Sequence, residues 1–523
     1  MKKKMKMIPP ALLLALLCGC GSEEGPTPAG GSQGTETQEE KPVATFTSDL
    51  SATRRAAAGL TRTTISHTLG AGAQALWETG DRIWVKADDG TLHQSAAGVF
   101  NAALTQGMFS LSAGTFSSGC QVNYTGRNAT AGDRVTIAAA QSQHIPNNFS
   151  HAGAAGDCGT ATATGSGADF TFRLAHKAAY LCFLPRCVNA ELGANIYLTK
   201  IVVTSTDGTA LAGTYDFADG TLQGKTPQSG AASSVTLSLN DFPLTNTTTS
   251  VETNGAYLVI APGTYSLSVD YHIKDPATQV QGVVNKRVSL QANEGTISEV
   301  TAWIDKDITQ YGSKYYMWDA AVGQHYWKGY EAYQPKLNGG SHAAYPLSAA
   351  DPRWCNSSLT LPNYANRSCA TCPNANQILW YVLRGNPCWD EQTLWTTMGH
   401  LYNTGMWFLK STHIPGFTHV SDPYGHNWHM GSAPLATHAT PTEGKPANTD
   451  RYFYLPSAGR YLYGDAAGIG THGLYWSSTA GEDVGSGDMQ ALSLYFYKGF
   501  VTMHYDHYIR GRKLWKLDTP PAD

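Results

Sequence analysis

Alternation of apolar and polar residues constrains the fold of this chain more than any other feature of its sequence. It is clearest in the segments 82–87, 178–185, 195–205, 234–240 and 265–273. Turn-forming pairs such as Asp207-Gly208 and Asp219-Gly220 stand between such segments. Short alternating segments joined by turns are typical of antiparallel sandwiches with one solvent-facing side. The sequence therefore predicts a mostly β protein.

The aromatic residues indicate a separate C-terminal region. Trp77 and Trp84 precede position 300, and the other eleven of the 13 tryptophans follow it. We therefore place a domain boundary between 305 and 306. Within 374–384, Ile378, Leu379 and Tyr381 fall on one helical stripe, which predicts an amphipathic helix. The net charge of −4 with 15% charged residues gives no indication of nucleic-acid binding.

The N-terminus predicts export. A basic run precedes an apolar stretch of roughly half the length that a bilayer-spanning helix needs, which is typical of a secretory signal. The sequence Leu17-Cys18-Gly19-Cys20 resembles a bacterial lipobox. This resemblance implies cleavage after residue 19 and lipidation of Cys20; an ordinary secretory signal is the alternative. Glu23 and Glu24 resemble a surface-export signal, and residues 20–44 have the composition of a flexible tether.

Residues 45–305 resemble fimbrillins. The carrying motifs are "LWETGDRIWV", "FNAALTQGMFSLSAG" and "ADFTFRLAHKAAYLCF", followed by "AYLVIAPGTYSLSVDYHI" and "GTISEVTAWID". The resemblance implies two transthyretin-like β-sandwich domains, at 45–188 and 189–305, in a lipoprotein of the cell outer membrane. It also implies that an arginine-specific protease removes an N-terminal strand and that a strand from another subunit fills the vacated groove. Arg54, Arg55 and Arg62 are the candidate processing positions; the alternative is three arginines in a solvated stretch.

Residues 306–523 resemble FISUMP-type domains through "FYLPSAGRY", "YWSST" and "ALSLYF". This resemblance implies an α+β C-type lectin-like fold. We predict that Trp476 is a core residue whose N–H a serine-rich turn can satisfy, and that Ser477, Ser478 and Thr479 bond the backbone of their own loop. A nucleophilic serine needs a base and an orienting group, and neither is evident here.

The candidate sites are few, and we predict no cofactor, no metal site and no catalytic group. Cys369 and Cys372 fit disulfides or buried thiols better than zinc, since the flanking spacings are irregular. The acidic loop residues Glu482, Asp483 and Asp488 lack the ligand pattern of calcium-dependent lectins. Lectin-like folds bind sugars on aromatic faces, so the candidate ligand-binding residues are Trp389, Trp395, Trp407, Trp428 and Tyr463.

These features together favour a surface-anchored fimbrial adhesin. Its expected partners are other fimbrial subunits through strand addition, the outer membrane through lipid, and a glycan or protein ligand. We expect 513–517 to be the last strand of the C-terminal domain, unavailable for donation, which predicts a subunit at the fimbrial tip. One alternative is a carbohydrate-capture lipoprotein that does not polymerise. Another is an enzyme on a formylglycine-generating-enzyme-like fold.

Overall fold

The computed structural model describes residues 42–48, 64–70, 72–127, 129–430, 437–483 and 489–521. Cys20, Arg54, Arg55 and Arg62 lie outside these residues, as do Asp488 and the side chains of Glu482 and Asp483. The described chain is mostly β, as predicted. No helix within it is long and apolar enough to cross a membrane.

The first part of the chain forms a sandwich of two five-stranded sheets, here called the first sandwich. Its residues supply β1 Ala44–Ser48, β2 Thr64–Thr68, β3 Gly72–Leu76, β4 Trp84–Lys86, β5 Leu92–Gln94, β6 Val99–Phe100, β7 Gly107–Leu111, β8 Gln121–Tyr124, β9 Arg134–Ile137, β10 Ala140–Gln143, α1 Ala152–Ala155, β11 Gly159–Thr162, β12 Thr164–Ser166, β13 Asp169–Phe172 and β14 Ala175–His176. The two sheets run β12-β13-β1-β7-β6 and β14-β11-β8-β4-β5. The core between them contains Trp77, Phe109, Tyr124 and Phe170.

The next part builds the second sandwich around a larger core. Its elements are β15 Ala179–Arg186, α2 Ala190–Gly193, β16 Tyr197–Ser205, β17 Ala212–Asp216, β18 Ser229–Ala232, β19 Ser234–Pro243, α3 Val251–Asn254, β20 Ala256–Ile260, β21 Gly263–Asp275, β22 Val280–Ala292 and β23 Ile297–Trp303. The sheets run β10-β19-β16-β21-β22, β20-β15-β23 and β18-β17-β9. All of β20 and seven of the eight residues of β15 are buried, because both faces of these strands are covered.

The border between the two sandwiches differs from the prediction. We expected residues 45–188 to form the first domain, yet Val135, Phe149 and Leu181 pack in the second core. The strands β9, β10 and β15 pair with strands of the second sandwich. The alternating pattern of these strands fits either core, so the sequence alone did not show which core each strand joins.

The remainder, here called the C-terminal region, is an assembly of small sheets around one helix. Its elements are β24 Thr309–Gln310, α4 Ala375–Arg384, β25 Cys388–Asp390, β26 Trp395–Thr397, β27 His400–Tyr402, β28 Gly405–Leu409, β29 His438–Ala439, β30 Thr442–Glu443, β31 Tyr452–Pro456, β32 Ala458–Leu462, β33 Asp465–Ile469, β34 Gly473–Asp483, β35 Met489–Tyr497 and β36 Phe500–His507. The sheets run β24-β26-β27, β30-β25-β28-β31, β29-β36-β35-β34 and β32-β33. Its core is aromatic, with Trp318, Trp395, Trp476 and Trp515 buried.

The predicted helix is confirmed as α4. Its N-cap is Asn374, whose side chain accepts from Gln377 N, while the Gln377 side chain accepts from Asn374 N. This capping box satisfies two backbone donors of the first turn. Ile378, Leu379 and Tyr381 are all buried on the core side of the helix.

Buried hydrogen bonds around Asp275, here called the joint at Asp275, connect the C-terminal region to the second sandwich. The Asp275 carboxylate at the end of β21 lies 3.0 Å from both His400 Nδ1 and the Leu401 backbone N–H. Burial alone would raise the pKa of Asp275, but the bonds from His400, Leu401 and Ala277 hold that pKa below its usual value. Leu401 is fully buried in the core of the second sandwich. Strand β27, which contains Leu401, therefore packs with both the second sandwich and the C-terminal region.

Candidate functional site

The first strand of the chain occupies the middle of a sheet. β1 pairs in parallel with β13 and antiparallel with β7, so it satisfies backbone groups on both sides. Residues 49–63, which contain the three candidate processing arginines, separate it from β2. A break of the chain within 49–63 would leave β1 held by noncovalent contacts alone.

The side chains of β1 fill a groove between its two neighbours. Ala44, Phe46 and Ser48 are buried, and the residues between them are half-buried. The Phe46 ring stacks on Phe170 with 4.8 Å between centroids and meets Phe116 edge-on at 5.5 Å. Ser48 Oγ accepts from Gly107 N and Trp77 Nε1 at 2.8 and 2.9 Å. Loss of β1 would therefore uncover an aromatic groove and break these hydrogen bonds.

The stretch around Trp476 is part of the core, in agreement with the prediction. Trp476 has no exposed surface, and its Nε1 donates to Tyr316 O at 2.8 Å. That acceptor is a neighbouring loop rather than the serine-rich turn. Ser477 Oγ donates to Leu492 O at 2.6 Å and accepts from Thr479 N at 3.1 Å. The Ser477 hydroxyl therefore bonds its own turn and the adjacent strand, whereas the Thr479 hydroxyl accepts from Ala375 N at the start of α4 at 2.9 Å instead of bonding its own loop as predicted.

The five candidate aromatic residues differ in how much of the side chain is exposed. Trp389, Trp395 and Trp428 are buried in the core and cannot present a ring face to a ligand. Trp407 is half-buried, with Tyr454 packed against its ring and Lys445 Nζ 5.5 Å from the ring centroid. Tyr463 is 60% exposed. The three buried tryptophans are therefore a correction to the expected binding set, since aromatic residue type alone does not distinguish core from surface.

Tyr463 borders a small cavity of about 90 Å³, here called the Tyr463 pocket. Its lining is largely apolar and aromatic and consists of Met317, Tyr326, Tyr345, Pro346, Leu347, Trp354, Tyr463 and Ile509. Leu347 is 68% exposed, and Tyr345 meets Tyr463 edge-on at 6.3 Å. The exposed ring of Tyr463, the half-buried rings of Tyr345 and Trp354 and an exposed leucine around one cavity make a surface that fits the apolar face of a ligand.

The backbone at Tyr463 adopts a conformation that this residue type disfavours. Leu462 pairs with Asp465, so Tyr463 and Gly464 form a two-residue hairpin turn with φ of 51° and 84°. Such turns favour Asn-Gly, and the left-handed region costs a residue with a Cβ about 1 kcal/mol. An exposed tyrosine here does not stabilise the turn, which indicates a role for its ring outside folding. This X-Gly turn is the signal in the sequence that could have identified the site.

The cysteines and acidic residues supply no alternative site. All eight described cysteines are free thiols, and seven of them are buried. Burial raises the pKa of Cys182, Cys187 and Cys355 to about 12, so these thiols stay protonated at neutral pH. In the part of the chain that the structure describes, no three His, Cys, Asp or Glu side chains are grouped to hold a metal ion.

The C-terminal segment 511–518 is held inside the fold, although not as the strand expected at 513–517. Gly511, Arg512 and Lys513 form single bridges to Tyr461, Tyr316 and Tyr475. Because the three bridges reach three separate segments of the C-terminal region, they do not form a continuous β-ladder. Trp515 is buried, and its Nε1 donates to Trp476 O at 2.9 Å.

Comparison with known proteins gives only weak similarities. No family model matches the chain, and no curated protein matches it. A candidate cell adhesion protein from Bacteroides ovatus is 17% identical with a TM-score of 0.31, over 50% of this chain and 93% of that one. A candidate cell adhesion protein from Bacteroides uniformis is 16% identical with a TM-score of 0.28, over 44% and 88%. A fimbrial protein from Bacteroides ovatus is 12% identical with a TM-score of 0.22, over 48% and 51%. These values do not establish a family.

Proposed function

We propose that this chain is a surface-anchored fimbrial adhesin. In this proposal it accepts a strand from another subunit in the first sandwich and binds a ligand in the C-terminal region. The observation that carries the proposal is the position of β1, which is central in its sheet yet precedes the three candidate processing arginines. The fimbrillin-like motifs of residues 45–305 support the same function.

The proposed assembly step is cleavage after Arg54, Arg55 or Arg62, followed by exchange of β1. A vacated position between β7 and β13 offers unpaired backbone groups on both sides, and such edges are templates for an added strand. An incoming strand would need apolar side chains at alternate positions to replace Ala44 and Phe46.

We further propose that this subunit accepts a strand but does not donate one, which places it at a fimbrial tip. Segment 511–518 contributes Trp515 to the core, and Asp518 accepts from the Tyr381 hydroxyl at 2.7 Å. A segment with these bonds is available to a neighbour only if the C-terminal region opens. Lipid attached at Cys20 would hold the chain on the outer membrane before processing, and metabolic labelling with a fatty-acid analogue tests that attachment.

Immunogold microscopy of fimbriae tests assembly and position together. The wild-type chain is expected to label one end of each fimbria. A variant with Arg54→Ala, Arg55→Ala and Arg62→Ala keeps β1 attached, so we expect its label to disappear from the fimbriae while it stays on cells. Label along the shaft contradicts the tip position, and undiminished label from the triple variant contradicts strand exchange. A wild-type chain that never labels fimbriae favours the capture lipoprotein.

The proposed ligand site is the Tyr463 pocket, and the ligand class is a glycan. One exposed and two half-buried aromatic rings around a small cavity suit the apolar face of a sugar ring, which would lie across the cavity rather than inside it. None of the lining residues forms a nucleophile with a base and an orienting group, so the pocket favours binding over catalysis.

The variant Tyr463→Asn tests this pocket with little risk to the fold. Asparagine suits the left-handed turn better than tyrosine, so the melting temperature should stay equal or rise. Binding to a glycan array should fall by tenfold or more because the main exposed ring is lost. The matched control Tyr424→Asn removes another exposed tyrosine, one that does not line the pocket, and should keep binding. Unchanged binding by Tyr463→Asn would exclude the pocket.

A further inference from the structure

Three arginines lie close together near the Tyr463 pocket, and each has one guanidinium nitrogen that is buried without a hydrogen-bond partner. We call Arg460, Arg510 and Arg512 the arginine cluster. Arg512 has no exposed surface and contacts Asp506. Its Nη1 donates to Ser493 Oγ at 2.7 Å, and its guanidinium lies 4.9 Å from the centre of the Trp476 ring. Arg512 is therefore a structural residue.

Arg510 shares the same carboxylate. Its Nη1 lies 2.8 Å from Asp506 Oδ1, and 27% of its side chain is exposed. Its Nε is buried without a hydrogen-bond partner. In the described residues, Asp506 is the one carboxylate within ion-pair distance of the cluster, so a single negative charge serves both Arg510 and Arg512.

Arg460 has no partner of its own. Its side chain forms no hydrogen bond or ion pair with any residue that the structure describes, and Nη1 is buried although the residue as a whole is half-buried. It lies next to Arg512 because Tyr461 bridges to Gly511. Burial and the neighbouring Arg510 lower the pKa of Arg460. Burying a guanidinium unpaired beside like charges is unfavourable, so this arrangement suits a site that an anion completes.

The histidines around the cluster do not compensate for its charge. Burial, with Arg512 and Arg510 nearby, lowers the pKa of His504 to about 3. Burial and Arg460 lower the pKa of His472, whose ring stacks on Tyr495 with 5.7 Å between centroids. Because both histidines are neutral, the three guanidinium groups of the arginine cluster are balanced only by the single carboxylate of Asp506. Half-buried Tyr495 and His472 add an aromatic wall beside them.

The cluster continues directly into the Tyr463 pocket. Ile509 lines the pocket, and Arg510 is the next residue. The Tyr463 phenol is close enough to Arg510 to affect the pKa of that arginine. A ligand whose apolar face covers Tyr463 can therefore place a substituent against Arg510 and Arg460.

We propose that Arg460 and Arg510 form an anion subsite, and that the glycan bound at the Tyr463 pocket is acidic, carrying a carboxylate or a sulfate group. This inference rests on the proposed glycan binding for its ligand class. The subsite itself rests on the cluster alone. Guanidinium groups bind either oxyanion through charge-assisted hydrogen bonds.

Inorganic sulfate tests the subsite without any sugar. Millimolar sulfate should raise the melting temperature of the wild-type chain along a saturable curve, and chloride at equal ionic strength should not; the general stabilisation by excluded sulfate does not saturate. In Arg460→Gln this rise should disappear, while Arg451→Gln, which removes an exposed arginine nine residues earlier, should keep it. Without sulfate, Arg460→Gln should melt at the wild-type temperature or higher, since it removes an unpaired charge. A marked loss of stability would assign Arg460 a structural role and overturn the proposal.

Three saccharide probes identify the anion. We would measure affinities for an oligogalacturonate, a sulfated galactan oligosaccharide and a neutral galacto-oligosaccharide at low salt. At least one acidic probe should bind tenfold or more tightly than the neutral one, and this preference should shrink at high salt and in Arg460→Gln. Preference for the oligogalacturonate identifies a carboxylate, and preference for the sulfated probe a sulfate.

Two results would overturn the inference in distinguishable ways. Equal binding of neutral and acidic probes, sensitive to Tyr463→Asn but not to Arg460→Gln, removes the anion subsite and leaves glycan binding intact. Tight binding of polyglutamate with no binding of any saccharide removes the acidic glycan and the proposed glycan site together.

Discussion

Replacing Trp476 by alanine is expected to lower the free energy of unfolding of the C-terminal region by about 3–5 kcal/mol. The side chain is fully buried, so its removal leaves a large cavity. It also removes the bond from Nε1 to Tyr316 O and the ring face that meets Arg512. Urea unfolding followed by tryptophan fluorescence measures the change, because eleven of the 13 tryptophans lie beyond position 300.

Two further variants calibrate this result. Trp303→Ala removes a tryptophan that is 38% exposed, and should cost about 1 kcal/mol or less. Ser477→Ala should cost about 1–3 kcal/mol because it removes a buried hydroxyl that bonds Leu492 O and Thr479 N. If Trp476→Ala keeps wild-type stability but loses ligand binding, the stretch is a binding site and our assignment is wrong.

Replacing Asp319 by alanine is the second large perturbation, with an expected loss of about 3–5 kcal/mol. Its buried carboxylate accepts from Asn366 N, Arg367 N and Cys369 N at 3.0, 2.7 and 3.2 Å. It also accepts from Asn356 Nδ2 at 2.8 Å. Four donors of the loop 356–369 therefore depend on one side chain, and its loss leaves two of them, Asn356 Nδ2 and Cys369 N, buried without that acceptor.

The variant Asp319→Gly separates the contribution of the carboxylate to stability from the contribution of the backbone conformation. Asp319 has φ of 48°, a conformation that costs alanine about 1 kcal/mol and glycine nothing. Asp319→Gly should therefore be less destabilising than Asp319→Ala by about that amount, while the remaining loss reports the hydrogen bonds. A wild-type melting curve for Asp319→Gly would show that the loop does not need the carboxylate.

Much of the fold followed from local patterns. The alternation in 195–205 and 265–273 predicted strands that the structure contains as β16 and β21. The stripe of Ile378, Leu379 and Tyr381 predicted α4, although the Asn374 cap was not part of that prediction. These patterns depend on neighbours in sequence, for which no tertiary information is needed.

What the sequence did not predict depends on contacts between distant residues. Strand β9 alternates exposed and buried residues like the strands of the first sandwich, yet Val135 and Ile137 pack in the second core. Trp395 and Tyr463 are both aromatic residues of the C-terminal region, but only the surrounding chain determines that one is buried between Tyr311 and Tyr402 while the other is exposed. Burial of this kind is a property of the assembled core, not of residue type.

The joint at Asp275 determines how mechanical load passes through the molecule. β21 and β22 form a hairpin of 13-residue strands, and the C-terminal region is fastened at its tip through Asp275, Thr278 and Leu401. Fluid drag on a cell that is held by the Tyr463 pocket would pull on this tip. The tension would then run lengthwise into β21 and its partner β16, where many hydrogen bonds share it. Force on the C-terminal region would thus reach the sandwich through this joint as well as through the backbone that continues from β23.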